Sequence, residues 1–260
     1  MRTTRLLVSS LSLAAALAAA GSAAAQILET ETARRLPRGA VEASLNFELQ
    51  HSSEGREVAA PFAIEVGLAR RLELLVEPVF YTAIRPHTGP RATGFGDVEV
   101  TATWLARAER GGWPALALAG ELKLPTANDP LIGTGRTDFA GYLIASKLMG
   151  PVDVHANLGY TVVGQPAGTK LSNIVNGALG AVYRRSAWEL FGEVLGTTAA
   201  VPGGEGGGGP SPTPEAPGAE RVTTVGAGRR LLPGTLFFLA VSYDNNGAVL
   251  IHPGITLRLR

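Results

Sequence analysis

The chain has 260 residues, no cysteine, and a formal net charge of +1 from 23 basic and 22 acidic side chains. That balance leaves no electrostatic footprint for nucleic acid, and without thiols there is no disulfide, no cysteine metal site and no acylation at an N-terminal cysteine. Past residue 25 no run of 18 uninterrupted apolar residues occurs. A helical membrane protein is therefore excluded, but a membrane barrel is not, because its strands are apolar on one face only.

Residues 1–25 read as a secretory signal peptide. Arg2 and Arg5 form a basic start, Leu6 to Ala20 is an apolar run too short to span a bilayer, and Ala23-Ala24-Ala25 is a small-residue cleavage site before Gln26. Cleavage there leaves 21 basic against 22 acidic residues, a formal charge of −1. Residues 26–260 then form one domain.

From Val41 to the end the chain alternates. In Val41-Glu42-Ala43-Ser44-Leu45-Asn46-Phe47-Glu48-Leu49-Gln50 apolar and polar side chains change places at nearly every step, which in a strand sends the two kinds to opposite faces. Ten residues is long for a soluble strand and suits a tilted bilayer crossing. The pattern predicts twelve strands, over 40–50, 58–69, 72–84, 95–106, 113–124, 137–148, 151–163, 172–184, 186–198, 220–229, 234–243 and 249–260. An even number lets an antiparallel, up-and-down barrel close with both ends on one side.

The connections sort by parity. Those after even-numbered strands are short: Arg70-Arg71, Arg107 to Gly112, Met149-Gly150, Arg184-Arg185 and Arg230 to Pro233. The others are mostly longer and richer in Gly, Pro and Asn, and 199–219 carries a glycine run followed by Ser-Pro-Thr-Pro, a composition that builds no core and predicts a flexible loop. Short periplasmic turns alternating with long external loops is the habit of outer-membrane barrels. A soluble sandwich, the competing fold, has no reason to sort its loops in this way.

Stripes such as Phe62, Ile64, Val66 and Leu68, or Val98, Val100, Ala102 and Trp104, are expected to face lipid. Trp104, Trp113 and Trp188 fall near the short turns, where an interfacial girdle belongs. Pro78 in mid-strand implies a bulge. In strands six, ten and eleven both parities carry apolar residues, and the facing stays open.

The opposite parity is acidic. Glu42, Glu48, Glu65, Glu73, Glu77, Asp97, Glu99, Glu121, Lys123, Asp153, His155, Asn157, Glu189 and Glu193 are expected to line the lumen, because charges in lipid are penalised. Such a bore favours cations, or neutral and amphipathic solutes, over anions. No catalytic constellation is visible. Asp153, His155 and Asn157 share a face, but the sequence places no serine near His155. No His-x-x-x-His spacing suggests a metal, no cofactor is implied, and Gly133-Thr134-Gly135 lacks the lysine-bearing helix of a phosphate loop.

Two segments, Gly94-Phe95-Gly96-Asp97-Val98 and Leu124-Pro125-Thr126 through Gly133-Thr134-Gly135-Arg136-Thr137-Asp138, with Ser146-Lys147 and His155-Ala156-Asn157-Leu158-Gly159-Tyr160 after them, resemble the outer-membrane barrels grouped as the meta-pathway of phenol degradation family. The loop departs from that pattern, reading Pro-Thr-Ala-Asn where glycine is usual. The resemblance implies a barrel that passes small, often aromatic or hydrophobic, compounds, and it brings no catalytic residues. The last strand keeps the polar, glycine and hydrophobic spacing of an insertion signal, with Arg260 where such barrels usually end in an aromatic.

Together these readings predict an all-β transmembrane barrel of the bacterial outer membrane, acting as a passive channel for a small solute they do not identify. Its expected partners are outer-membrane lipid and lipopolysaccharide and the barrel-insertion machinery, and the expected state is a monomer. The alternatives are a non-transporting structural or sensory barrel and a lipid-modifying outer-membrane enzyme.

Overall fold

The computed structural model describes residues 29–168, 170–200 and 219–259. The expected leader, nearly all of the glycine-rich loop and Arg260 lie outside the described residues. Fourteen strand segments form one sheet: β1 (Val41–Asn46), β2 (Glu48–His51), β3 (Gly55–Ala69), β4 (Leu72–Pro86), β5 (Ala92–Gly94), β6 (Val98–Arg107), β7 (Ala115–Leu124), β8 (Asp138–Met149), β9 (Val152–Val162), β10 (Ile174–Arg185), β11 (Trp188–Thr197), β12 (Glu220–Leu232), β13 (Thr235–Asp244) and β14 (Val249–Arg258). Two strands are each split in two. β1 and β2 both run between β3 and β14, broken at Phe47, and β5 and β6 both lie along β4, broken over 95–97. The result is a 12-strand antiparallel barrel with no helix among the described residues.

The barrel closes where β1 meets β14, with Glu42 opposite Arg258 and Asn46 opposite Gly254. Closure matters in lipid, because an open edge would present N–H and C=O groups with no water to satisfy them. The strand ends lie within 3 residues of those predicted from alternation. Two turns are displaced: they fall at Gly150-Pro151 and Ser186-Ala187, because Met149 still pairs with Val152 and Arg185 with Trp188. Gly150 and Ser186 take φ of 62° and 54°, the left-handed conformation that a two-residue hairpin demands.

Alternation sets the facing. Along β13, Leu236, Phe238, Ala240, Ser242 and Asp244 are buried, while Phe237, Leu239, Val241 and Tyr243 are exposed. Similar exposed apolar stripes run along β7, β8 and β9. Trp104, Trp113 and Trp188 are exposed at the short-turn rim, and the guanidinium groups of Arg107 and Arg229 sit 4.9 and 5.2 Å from the ring centres of Trp113 and Trp188. The bulge expected at Pro78 falls just beyond it. Pro78 itself pairs with Val98, and the extra residue lies between Val79 and Thr82, where β4 runs against Pro61 and Ala59 of β3.

The strands whose facing was ambiguous in sequence are β8, β12 and β13, and their burial shows why. Part of the inner wall is apolar. Val182, Phe191, Leu236, Phe238 and Ala240 form one buried cluster, with Phe191 and Phe238 edge to face at 6.5 Å, and Ala115, Ala117, Ala119 and Ile144 belong to another. An inward apolar residue beside an outward one defeats a period-2 reading.

Candidate functional site

Residues 29–40 precede the first strand, and they do not join the sheet as a strand. The backbone carbonyls of Leu36 and Pro37 press on Gly67, where any side chain would collide with them, and Gly39 N–H donates to Gly67 O at 2.7 Å. From that rim the segment reaches four strands. Arg35 pairs with Glu73 on β4, and Leu36 N–H donates to the same carboxylate. Arg34 donates to both oxygens of Asp153 on β9 at 3.1 and 2.8 Å and to Glu109 at 2.6 Å. Ala33 N–H donates to Ser146 Oγ on β8 at 2.8 Å. Farther along, Asn157 accepts from Glu31 N–H and donates to its carbonyl, and Thr30 gives its N–H and hydroxyl to Glu193 on β11 at 2.9 and 2.6 Å.

One extended segment can touch β4, β8, β9 and β11 of a closed wall only from inside it. The buried parity therefore faces the lumen, and residues 29–36 occupy part of that lumen from the short-turn rim to roughly mid-height. A cavity of about 280 Å³ remains beside the segment, bordered by Arg35, Glu42, Glu65, Glu109 and Arg258.

The fourteen residues singled out in the sequence fall into distinct settings. Glu42 accepts from Arg258 across the closing seam at 3.0 Å, Glu73 holds Arg35, and Glu65 lies beside Glu73. Glu189 pairs with Arg230 and, at 3.4 Å, with Arg184. Glu193, Asn157 and Asp153 hold the N-terminal segment. Glu77 stands opposite Glu99, and Glu99 opposite Lys123; Glu121 accepts from the Tyr142 hydroxyl at 3.1 Å. Glu48 lies on β2 near the long-loop rim. The sequence reading missed the bases that neutralise this wall: Arg34, Arg35, Arg184 and Arg230. The last two had been assigned to turns, and the first two lie before any alternating pattern begins.

His155 needs a correction. Ser146 Oγ lies 2.8 Å from His155 Nδ1, and His155 Nε2 lies 3.9 Å from Asp153 Oδ2. The serine comes from the neighbouring strand, directly opposite His155 in register, so its proximity is set by hairpin pairing and not by sequence spacing. The three side chains are nonetheless fully engaged. Ser146 Oγ accepts from Ala33 N–H and lies 3.3 Å from Thr32 Oγ1, and Asp153 is clasped by Arg34. All three are buried behind the segment. This is a docking surface for the chain's own N-terminal residues.

At the long-loop rim the motif residues form one network. Lys123 Nζ lies 2.8 Å from Asp138 and 3.5 Å from Asp97. Asp97 accepts from Ala127 N–H at 2.8 Å, Thr126 donates its hydroxyl to Gly96 O at 3.1 Å, and Asn128 accepts from Phe95 N–H at 3.1 Å. Gly133 packs so closely against Asp97 that a side chain would collide. The loop over 125–136 is thereby pinned to the break between β5 and β6. At the opposite rim, in the β6–β7 turn, Glu109 accepts from Lys147 Nζ at 2.8 Å and from Arg34; these hydrogen bonds hold its carboxyl down to about 2.

No family model and no curated protein matches this chain. Solved structures do. The COG4313 outer membrane channel from Pseudomonas putida F1 aligns with a TM-score of 0.64 at 14% identity, covering 89% of this chain and 100% of that one. The NanC porin aligns at 0.58 and 8% identity over 84% of this chain and 100% of its own, and the KdgM porin in complex with disordered oligogalacturonate at 0.57 and 9% over 84% and 99%. At such identities the likeness is one of fold: the closed barrel of outer-membrane channels.

Proposed function

We propose that this chain is an outer-membrane channel that passes small solutes passively. The observation that carries the reading is the pairing of an exposed apolar belt with an enclosed polar interior in a barrel without free edges. Such a surface is stable in lipid, and such an interior suits something polar or amphipathic passing through it. The similar folds named above, two of them porins and one a channel, support it. No ATP motif or coupling segment occurs in the sequence, so transport runs down a gradient.

The motifs of 94–160 support membership of the phenol-degradation group, and the cluster of Phe191, Phe238, Val182 and Leu236 makes part of the inner wall apolar. Conductance of the purified chain in planar bilayers tests the channel reading, and uptake of a panel of aromatic and aliphatic compounds in a deletion strain tests the solute class. Currents should prefer cations, and Glu77→Gln should weaken that preference. Silence at all voltages with the barrel intact would overturn the channel.

That silence would favour the second reading, a structural or sensory barrel, for which the lumen-bound residues 29–36 are the specific support. The lipid-modifying alternative loses its footing, because Ser146 and His155 are committed to holding that segment inside the barrel.

A further inference from the structure

The lumen wall already binds the two guanidinium groups of the N-terminal segment. Arg35 and Glu73 meet with each side chain 4% exposed, and Arg34 is shared by Asp153 and Glu109. Along this stretch the segment donates and the wall accepts, through N–H groups of residues 30, 33 and 36 as well as the two arginines.

Beyond the segment, toward the long loops, β2 and β3 present a second set of acceptors. Glu48 and Gln50 stand two residues apart on the same face of β2, and Glu57 is directly opposite Gln50. Gln50 is 6% exposed and Glu57 3%. Gln50 Oε1 and Glu57 Oε2 have no hydrogen-bond partner, and no base pairs with Glu48 or Glu57, among the described residues. Buried oxygens in this state call for a donor from outside. Among the described residues no group of three or more His, Asp or Glu side chains has metal-binding geometry. Two carboxylates and an amide oxygen instead match the several N–H donors of an ammonium or guanidinium, in charge-assisted hydrogen bonds.

We propose that Glu48, Gln50 and Glu57 form a binding subsite for the ammonium or guanidinium group of an organic cation entering from the long-loop side. The direction of traffic rests on the channel reading. Binding does not.

Agmatine, with a guanidinium at one end and an ammonium at the other, is the probe. Its binding to the detergent-folded full chain is read by calorimetry, so the result is independent of conduction. Glu48→Gln and Glu57→Gln should each weaken binding by about tenfold or more, a change readily resolved as a shift in Kd. Neutral 1,4-butanediol should give no heat. Binding that survives both Gln substitutions, or equal heat from the diol, overturns the subsite. Calorimetric binding with silent bilayers would leave the subsite standing and overturn the channel alone.

Discussion

Glu109 shows how a single side chain can set a condition for the whole lumen. Its carboxyl, outside the strands, is hydrogen-bonded first by Lys147 and also by Arg34, and its pKa lies at about 2 against an ordinary 4.5. A depressed carboxyl contributes its stabilisation in full above its ordinary value and loses it as pH falls through the depressed one. The clasp between the β6–β7 turn, β8 and the N-terminal segment should therefore loosen between about pH 4.5 and pH 2 and not above it. The protection of the Leu148 amide, which donates to Glu109 at 3.2 Å, against hydrogen exchange should fall relative to its intrinsic rate across that window. Glu109→Gln should abolish the pH dependence, and an unchanged profile in that variant would refute the assignment.

At the scale of elements, the inner wall is levelled by glycine. Gly226 on β12 and Gly254 on β14 point inward, and the rings of Phe191 and Phe238 lie over them so closely that a Cβ would collide with each ring. The missing side chains leave room for the two rings, which meet edge to face over them. Gly226→Val should push Phe191 inward at a cost of about 1–3 kcal/mol. It should lower the temperature at which the barrel's gel migration changes and narrow its conductance. The same logic holds at Gly67, where the wall's missing side chain is the seat of the N-terminal segment. Alternation alone reads these glycines as turn residues or gaps; their purpose depends on what packs over them.

The whole molecule depends on its seam. β1 and β14 are 212 residues apart at the Ser44–Thr256 hydrogen bond of 2.9 Å, and the Glu42–Arg258 pair lies on the same seam. Glu42 is 1% exposed, so Arg258→Ala strands a buried carboxylate at a cost of about 3–5 kcal/mol. That variant should keep the heat-modifiable migration of a folded barrel at low temperature and lose it well below the parent chain. Retention of the parental transition would show that seam charge contributes nothing to closure.

Period-2 alternation over Val41 to Arg258, loop lengths sorted by parity and the even strand number were enough to specify a twelve-strand barrel, because lipid outside and water inside impose opposite demands on neighbouring residues. The expectation that the carboxylates share the inner parity rests on the same reason. What residues 29–40 do was not legible, since a segment that follows no period carries no facing signal, and Arg34 and Arg35 gain their meaning only from Asp153, Glu109 and Glu73, brought near by strands far apart in sequence. Ser146 came to His155 through hairpin register, and the apolar inner cluster through curvature that brings β10, β11 and β13 together. Local chemistry fixed which side of the wall each residue prefers; only closing the sheet decided which residues meet across the space it encloses.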